Sequence, residues 1–146
     1  NLFVFWTFGQ AIEAQFAYLF GPKMGMINFL MLFIFSGIIS DLPTTFLLRD
    51  NSSFRSVCAS GAISWIMFSY VLFYPLENLY LYGIIPIPGI IAGILYLWYS
   101  NHAAKKEGGR IDHNAHFFGA VSGLVITILL YPPVVLSFFR DLMSVF

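Results

Sequence analysis

Charge is what this sequence has least of. Of its 146 residues, 7 are Lys or Arg and 7 are Asp or Glu, 10% in all, and they cancel to a net charge of zero. A soluble domain carries about 25% charged residues, and a nucleic-acid binder shows a basic excess, so neither class fits. The charges also leave long gaps: residues 24–40, 56–76, 78–104 and 113–139 hold no Asp, Glu, Lys or Arg. Three of these gaps exceed the roughly 20 residues that cross a hydrocarbon core, and the first approaches it. The single cysteine, Cys58, excludes a disulfide within the chain and says nothing of redox compartment. No His-Glu-x-x-His occurs, and His113 and His116 lack a third ligand, which sets a metalloprotease aside. An aspartyl intramembrane protease needs paired membrane Asp residues, and Asp41 has no second Asp in another span, which sets that class aside. Neither internal repeats nor the period-2 alternation of a membrane barrel are present.

What the chain does have is apolar bulk: 59% hydrophobic residues and a mean hydropathy of +0.81. These predict an integral membrane protein, an all-α polytopic bundle of about five spans. Segment A covers residues 1–20 and ends at the turn Gly21-Pro22-Lys23. Segment B follows over 24–48, then a polar loop over 49–55, then segment C over 57–74. Segment D, 79–99, carries Gly83, Pro86, Pro88, Gly89 and Gly93, so its first half is expected to bend or its helix to start late. A soluble stretch over 100–112 leads to segment E, 113–131, which Pro132-Pro133 stops. The expected membrane domain is 1–133. The remaining 134–146 is too short to span again and reads as an interfacial or ragged apolar tail.

Consecutive spans alternate in direction, so A, C and E run the same way. Asn1 opens A, Ser60 lies near the start of C, and His116 lies near the start of E. The three polar groups therefore enter from one membrane face at similar shallow depth. Polar groups in lipid are costly and usually functional. His116, Gly119, Ala120 and Gly123 fall at i, i+3, i+4 and i+7, one face of a helix on which small residues admit a close neighbour. Ser60-Gly61 is such a neighbour. A serine hydroxyl becomes a nucleophile when an adjacent imidazole takes its proton, and the oxyanion it creates needs preorganised donors. The backbone around Ala59-Ser60 and the Asn1 amide are candidates. The same Ser in isolation reads as a helix cap or an interhelical hydrogen bond. A lone His reads as a proton relay or ligand, and Gly119 with Gly123 as packing.

These residues resemble the rhomboid intramembrane serine proteases. That family has Gly-x-Ser-Gly at the start of one core helix and His-x-x-Gly-x-x-x-Gly in the last. Here the stretches read Cys58-Ala59-Ser60-Gly61 and His116-Phe117-Phe118-Gly119-Ala120-Val121-Ser122-Gly123. Asn1, Gly9 and Glu13 fit the spacing of the family's earlier helix, whose His-x-x-x-Asn would begin before this chain. The resemblance implies a serine endopeptidase with Ser60 as nucleophile and His116 as general base. Asn1 and Ala59 would serve the oxyanion, and Gly61, Gly119 and Gly123 the packing around the site. It implies transmembrane protein substrates, no metal or cofactor, and a chain running from the family's second core helix to its sixth. It also implies a cap formed by 101–112 and a lateral gate formed by segment D. The motif's first Gly is replaced by Cys58, which adds a small side chain at a tight position.

Several readings accompany this one. A non-catalytic rhomboid-like protein that binds membrane clients typically lacks the Ser or the His, and both are here. A transporter or channel would place ionisable residues at mid-membrane, whereas these polar groups sit at helix ends. The family's bacterial arrangement implies a cytoplasmic membrane with the Ser/His face outside. Arg49, Arg55, Lys105, Lys106 and Arg110 on that face run against the positive-inside tendency. Substrate identity and oligomeric state are unknown from sequence.

Overall fold

The computed structural model describes residues 1–47, 59–81, 84–104 and 113–144. Short α1 (Leu2–Val4), a π-helical turn over Phe5–Gly9 and α2 (Gln10–Phe20) form one continuous helical run. The run stops at Gly21, whose φ of 84° suits a residue without a Cβ. Pro22 then opens α3 (Pro22–Leu47), where its missing N–H costs nothing. Next come α4 (Ser60–Phe73), strands β1 (Asn78–Leu81) and β2 (Ile85–Pro88), α5 (Gly89–Ala104), α6 (His113–Leu130) and α7 (Pro133–Met143).

Among the described residues the fold is an all-α helical bundle with one small hairpin. In that hairpin β1 and β2 pair antiparallel, Asn78 opposite Pro88 and Leu81 opposite Ile85. It occupies the first half of segment D, whose helix begins only at Gly89. Pro86 and Pro88 explain this, because proline lacks the donor a helix interior requires but is tolerated on a sheet edge. The tail beyond Pro132 is an ordered helix, α7, bent 110° from α6.

Helix α4 is the centre. Eleven of its residues, from Ser60 to Leu72, are buried on every side, as expected of a helix enclosed by others. Trp65 is fully buried among Phe16, Phe29 and Ile66. Aromatic contacts tie the far ends together: Phe16 meets Phe73, and Phe20 and Phe73 both meet Tyr131. The run α1–α2, α4 and α6 therefore point the same way, with α3 returning between them.

Large apolar side chains cover the outside of the bundle as well as filling its core, and small hydroxyls are buried. Trp6, Ile34, Ile38, Ile94, Trp98 and Leu129 are exposed, while Ser36, Ser40, Ser69, Ser100 and Thr127 are buried. Apolar side chains outward and small hydroxyls inward is how helices associate in lipid. By length and composition, one helix among the described residues qualifies alone as a span, Pro22–Pro43. Helices α6 and α7 qualify only as a bent pair, and α4 is apolar but short.

Inside the bundle, Ser69 Oγ and Thr127 Oγ1 share a fully buried hydrogen bond of 2.7 Å that joins α4 to α6. Ser69→Ala is expected to lower stability by about 0.6–1.7 kcal/mol, the range for such bonds in membrane bundles. Thr127→Val should add little more in the double variant. Reversible unfolding in mixed micelles reads both.

Candidate active site

Ser60 is the first residue of α4, with Ala59 as its N-cap at φ −65° and ψ −6°. The backbone N–H of Ile63 bonds to the Ala59 carbonyl at 3.1 Å, the bond that starts the helix. The first turn of a helix thus faces the site, and its N–H groups have no acceptor within the helix. They also carry the positive end of the helix dipole. At 14 residues, α4 is about 21 Å long, shorter than the roughly 30 Å hydrocarbon layer.

His116 lies in the first turn of α6. Its Nε2 is 2.5 Å from Ser60 Oγ. Ser60 is 6% exposed, and His116 is half-buried. With the neutral imidazole protonated on Nδ1, the Oγ–H donates to Nε2, the arrangement in which a hydroxyl can be deprotonated.

Backbone contact between α4 and α6 makes the pair short. A Cβ on Gly119 would lie 2.8 Å from both C and Cα of Gly61, and one on Gly123 would lie 2.8 Å from the Cα of Trp65. A Cβ on Gly61 would strike the Ser40 side chain of α3 and come 3.3 Å from the Ala115 carbonyl. Three helices meet at Gly61, so bulk at any of these positions would move His116 away from Ser60.

The other anticipated residues are placed differently. Ala59 is exposed at the rim, beside Ser60. Asn1 is exposed and its side chain makes no cap bond to the first turn. Among the described residues no hydrogen bond joins it to Ser60. Cys58 and residues 105–112 of the expected cap lie outside the described residues. Among the described residues no three His, Cys, Asp or Glu side chains gather as a metal site.

Two residues at the site escaped sequence reasoning. Ser64, one turn after Ser60, donates its hydroxyl to the Ser60 carbonyl at 2.9 Å. Tyr96 of α5 reaches its hydroxyl to 2.6 Å from Ser64 Oγ, and its ring stacks on that of His116, centroids 6.2 Å apart and planes 28° apart. The i+4 spacing of Ser64 from Ser60 was a visible signal. Tyr96 had a fainter one, its place among the small residues Gly89, Gly93 and Ser100 that form the buried stripe of α5.

A Rhomboid domain profile matches residues 1–133. Over 127 residues the chain is 27% identical to the Arabidopsis thaliana protein named "RHOMBOID-like protein 12, mitochondrial", an alignment covering 82% of this chain and 38% of that one. The chain therefore spans well under half the length of this curated relative. No solved structure gives a significant match.

Proposed function

This chain belongs to the rhomboid family, and from that premise we propose that it is an intramembrane serine endopeptidase with Ser60 as nucleophile and His116 as general base. The observation that carries the proposal is the 2.5 Å approach of His116 Nε2 to Ser60 Oγ. Rhomboids are membrane-embedded and act on membrane proteins. The substrates proposed here are transmembrane segments cut near the membrane surface.

The chemistry follows from the pair. Oγ attacks the scissile carbonyl as its proton passes to Nε2, forming a tetrahedral oxyanion. Backbone N–H groups at Ala59 and Ser60 are the proposed donors to that oxyanion, where a single donor contributes on the order of 3 kcal/mol. Asn1 would join them if its amide swings over the site. The imidazolium then returns its proton to the leaving amine, giving an acyl-enzyme on Ser60, and water activated by the same imidazole releases the acid. No cofactor or metal enters the scheme.

The boundary at residue 133, with α7 as an interfacial appendage, belongs to the same proposal. A mitochondrial relative lends no support to the expected bacterial cytoplasmic membrane, so the membrane is retained and the compartment left unassigned. The test is cleavage of a transmembrane reporter by the full-length parent in membranes, beside Ser60→Ala and His116→Ala. Cleavage lost in both folded variants supports the protease. A parent that binds the reporter without cutting it would mark a client-binding rhomboid-like protein instead.

A further inference from the structure

Through one residue, Tyr96, helix α5 touches His116 directly and Ser60 by way of Ser64. Its outer face, with Ile91, Ile94, Leu95, Trp98 and Tyr99, is exposed. Its inner stripe is small: Gly89, Gly93 and Ser100 are buried, and a Cβ on Gly93 would sit in ordinary contact with Phe68 and Val71 of α4. Tyr96 is the large polar side chain on that stripe, half-buried and packed against Phe68 at 5.7 Å.

The hydrogen bonds around Tyr96 have a direction. Ser64 has one hydroxyl proton, and it goes to the Ser60 carbonyl. The 2.6 Å contact between Ser64 Oγ and the Tyr96 hydroxyl must then be donated by Tyr96. A relay results: Tyr96 O–H to Ser64 Oγ, and Ser64 O–H to the Ser60 carbonyl. On its other side the Tyr96 ring lies at 28° to the His116 imidazole, within the separation at which aromatic rings attract. The ring limits how the imidazole can turn, while the hydroxyl braces the helix turn that carries Oγ.

We propose that Tyr96 is a positioning residue which, from α5, holds both the imidazole plane of His116 and the first turn of α4 in the geometry that brings Nε2 to Oγ. This rests on the protease reading above. Since Tyr96 is carried by the outermost of the three helices, displacement of α5 would withdraw its ring from His116 and its hydroxyl from Ser64 together. Misplacement of a reacting group by about 1 Å can cost a hundredfold in rate.

The two functions are separable by substitution. Tyr96→Phe keeps the ring and removes the relay donor. Tyr96→Leu removes both, and Ser64→Ala removes the relay alone. Each is made in the full-length parent, reconstituted in membranes, and compared in two assays: reporter cleavage resolved into kcat and KM, and the rate of covalent labelling of Ser60 by a small fluorophosphonate. Thermal unfolding runs alongside.

The expected result for Tyr96→Leu is a loss of at least tenfold in kcat and in labelling rate, with KM little changed. Tyr96→Phe and Ser64→Ala should each lose a few-fold, and their combination no more than either alone, since they break one chain. Labelling at the parent's rate in Tyr96→Leu, or an effect confined to KM, would overturn the proposal. If Tyr96→Leu does not fold, additive losses in the Tyr96→Phe/Ser64→Ala pair, or none, overturn it equally. Failure of the parent itself to label at Ser60 would instead count against the protease reading.

Discussion

Gly119→Leu is expected to unfold the site and destabilise the bundle at once. The first Cβ would already stand 2.8 Å from Gly61 C and Cα, and the obstacle is backbone, which cannot rotate aside. Overpacking a core costs about 1–3 kcal/mol when side chains can yield, so the upper end or beyond applies here. The helices must part, and His116, one turn before Gly119 on the same face, moves with α6. Activity should fall below detection and the unfolding midpoint should drop. Gly119→Ala should do the same less severely. Leu129→Ala, on the exposed face of the same helix, serves as the control and should change stability by no more than about 0.5 kcal/mol. Unfolding in micelles and reporter cleavage read both consequences.

The larger effect on rate is expected at the pair itself. Removing the nucleophile or its base from a serine hydrolase typically costs on the order of 10⁴–10⁶ in kcat. Ser60→Ala and His116→Ala should each fall that far without losing stability, because Ser60 contributes little bulk and His116 is half-buried. The double variant should be no worse than either single one, since the two groups act in one step. A His116→Ala variant that kept a tenth of the parent's rate would show that another group takes the proton.

The helical architecture was legible because lipid imposes a simple demand: long uncharged runs bounded by turns. Segments B and E map closely onto α3 and α6. Segment D was only half legible. Its prolines announced a late start, but nothing in Asn78–Leu81 announced a strand, because a four-residue apolar strand and an apolar helical turn look alike. Segment C, expected over 57–74, contains α4, which runs over Ser60–Phe73.

At the site, proximity of Ser60 and His116 could be argued from direction and from the glycine face of α6. The first comes from counting alternating spans and the second from the periodicity of one helix. Tyr96 could not be found that way, since its contacts to Ser64 and His116 cross from α5 to two other helices and depend on the rotation of α5 about its own axis. Asn1 shows the reverse: its spacing suggested a role, while its side chain lies exposed.

The central claim is that His116 activates Ser60, and covalent labelling tests it without the need for a known substrate. The full-length parent in membranes is treated with a fluorophosphonate and digested, and the modified residue is located by mass spectrometry. The account predicts a single serine adduct at Ser60, absent in His116→Ala although that variant retains its fold. An unlabelled Ser60 in the folded parent, or undiminished labelling in His116→Ala, would contradict it.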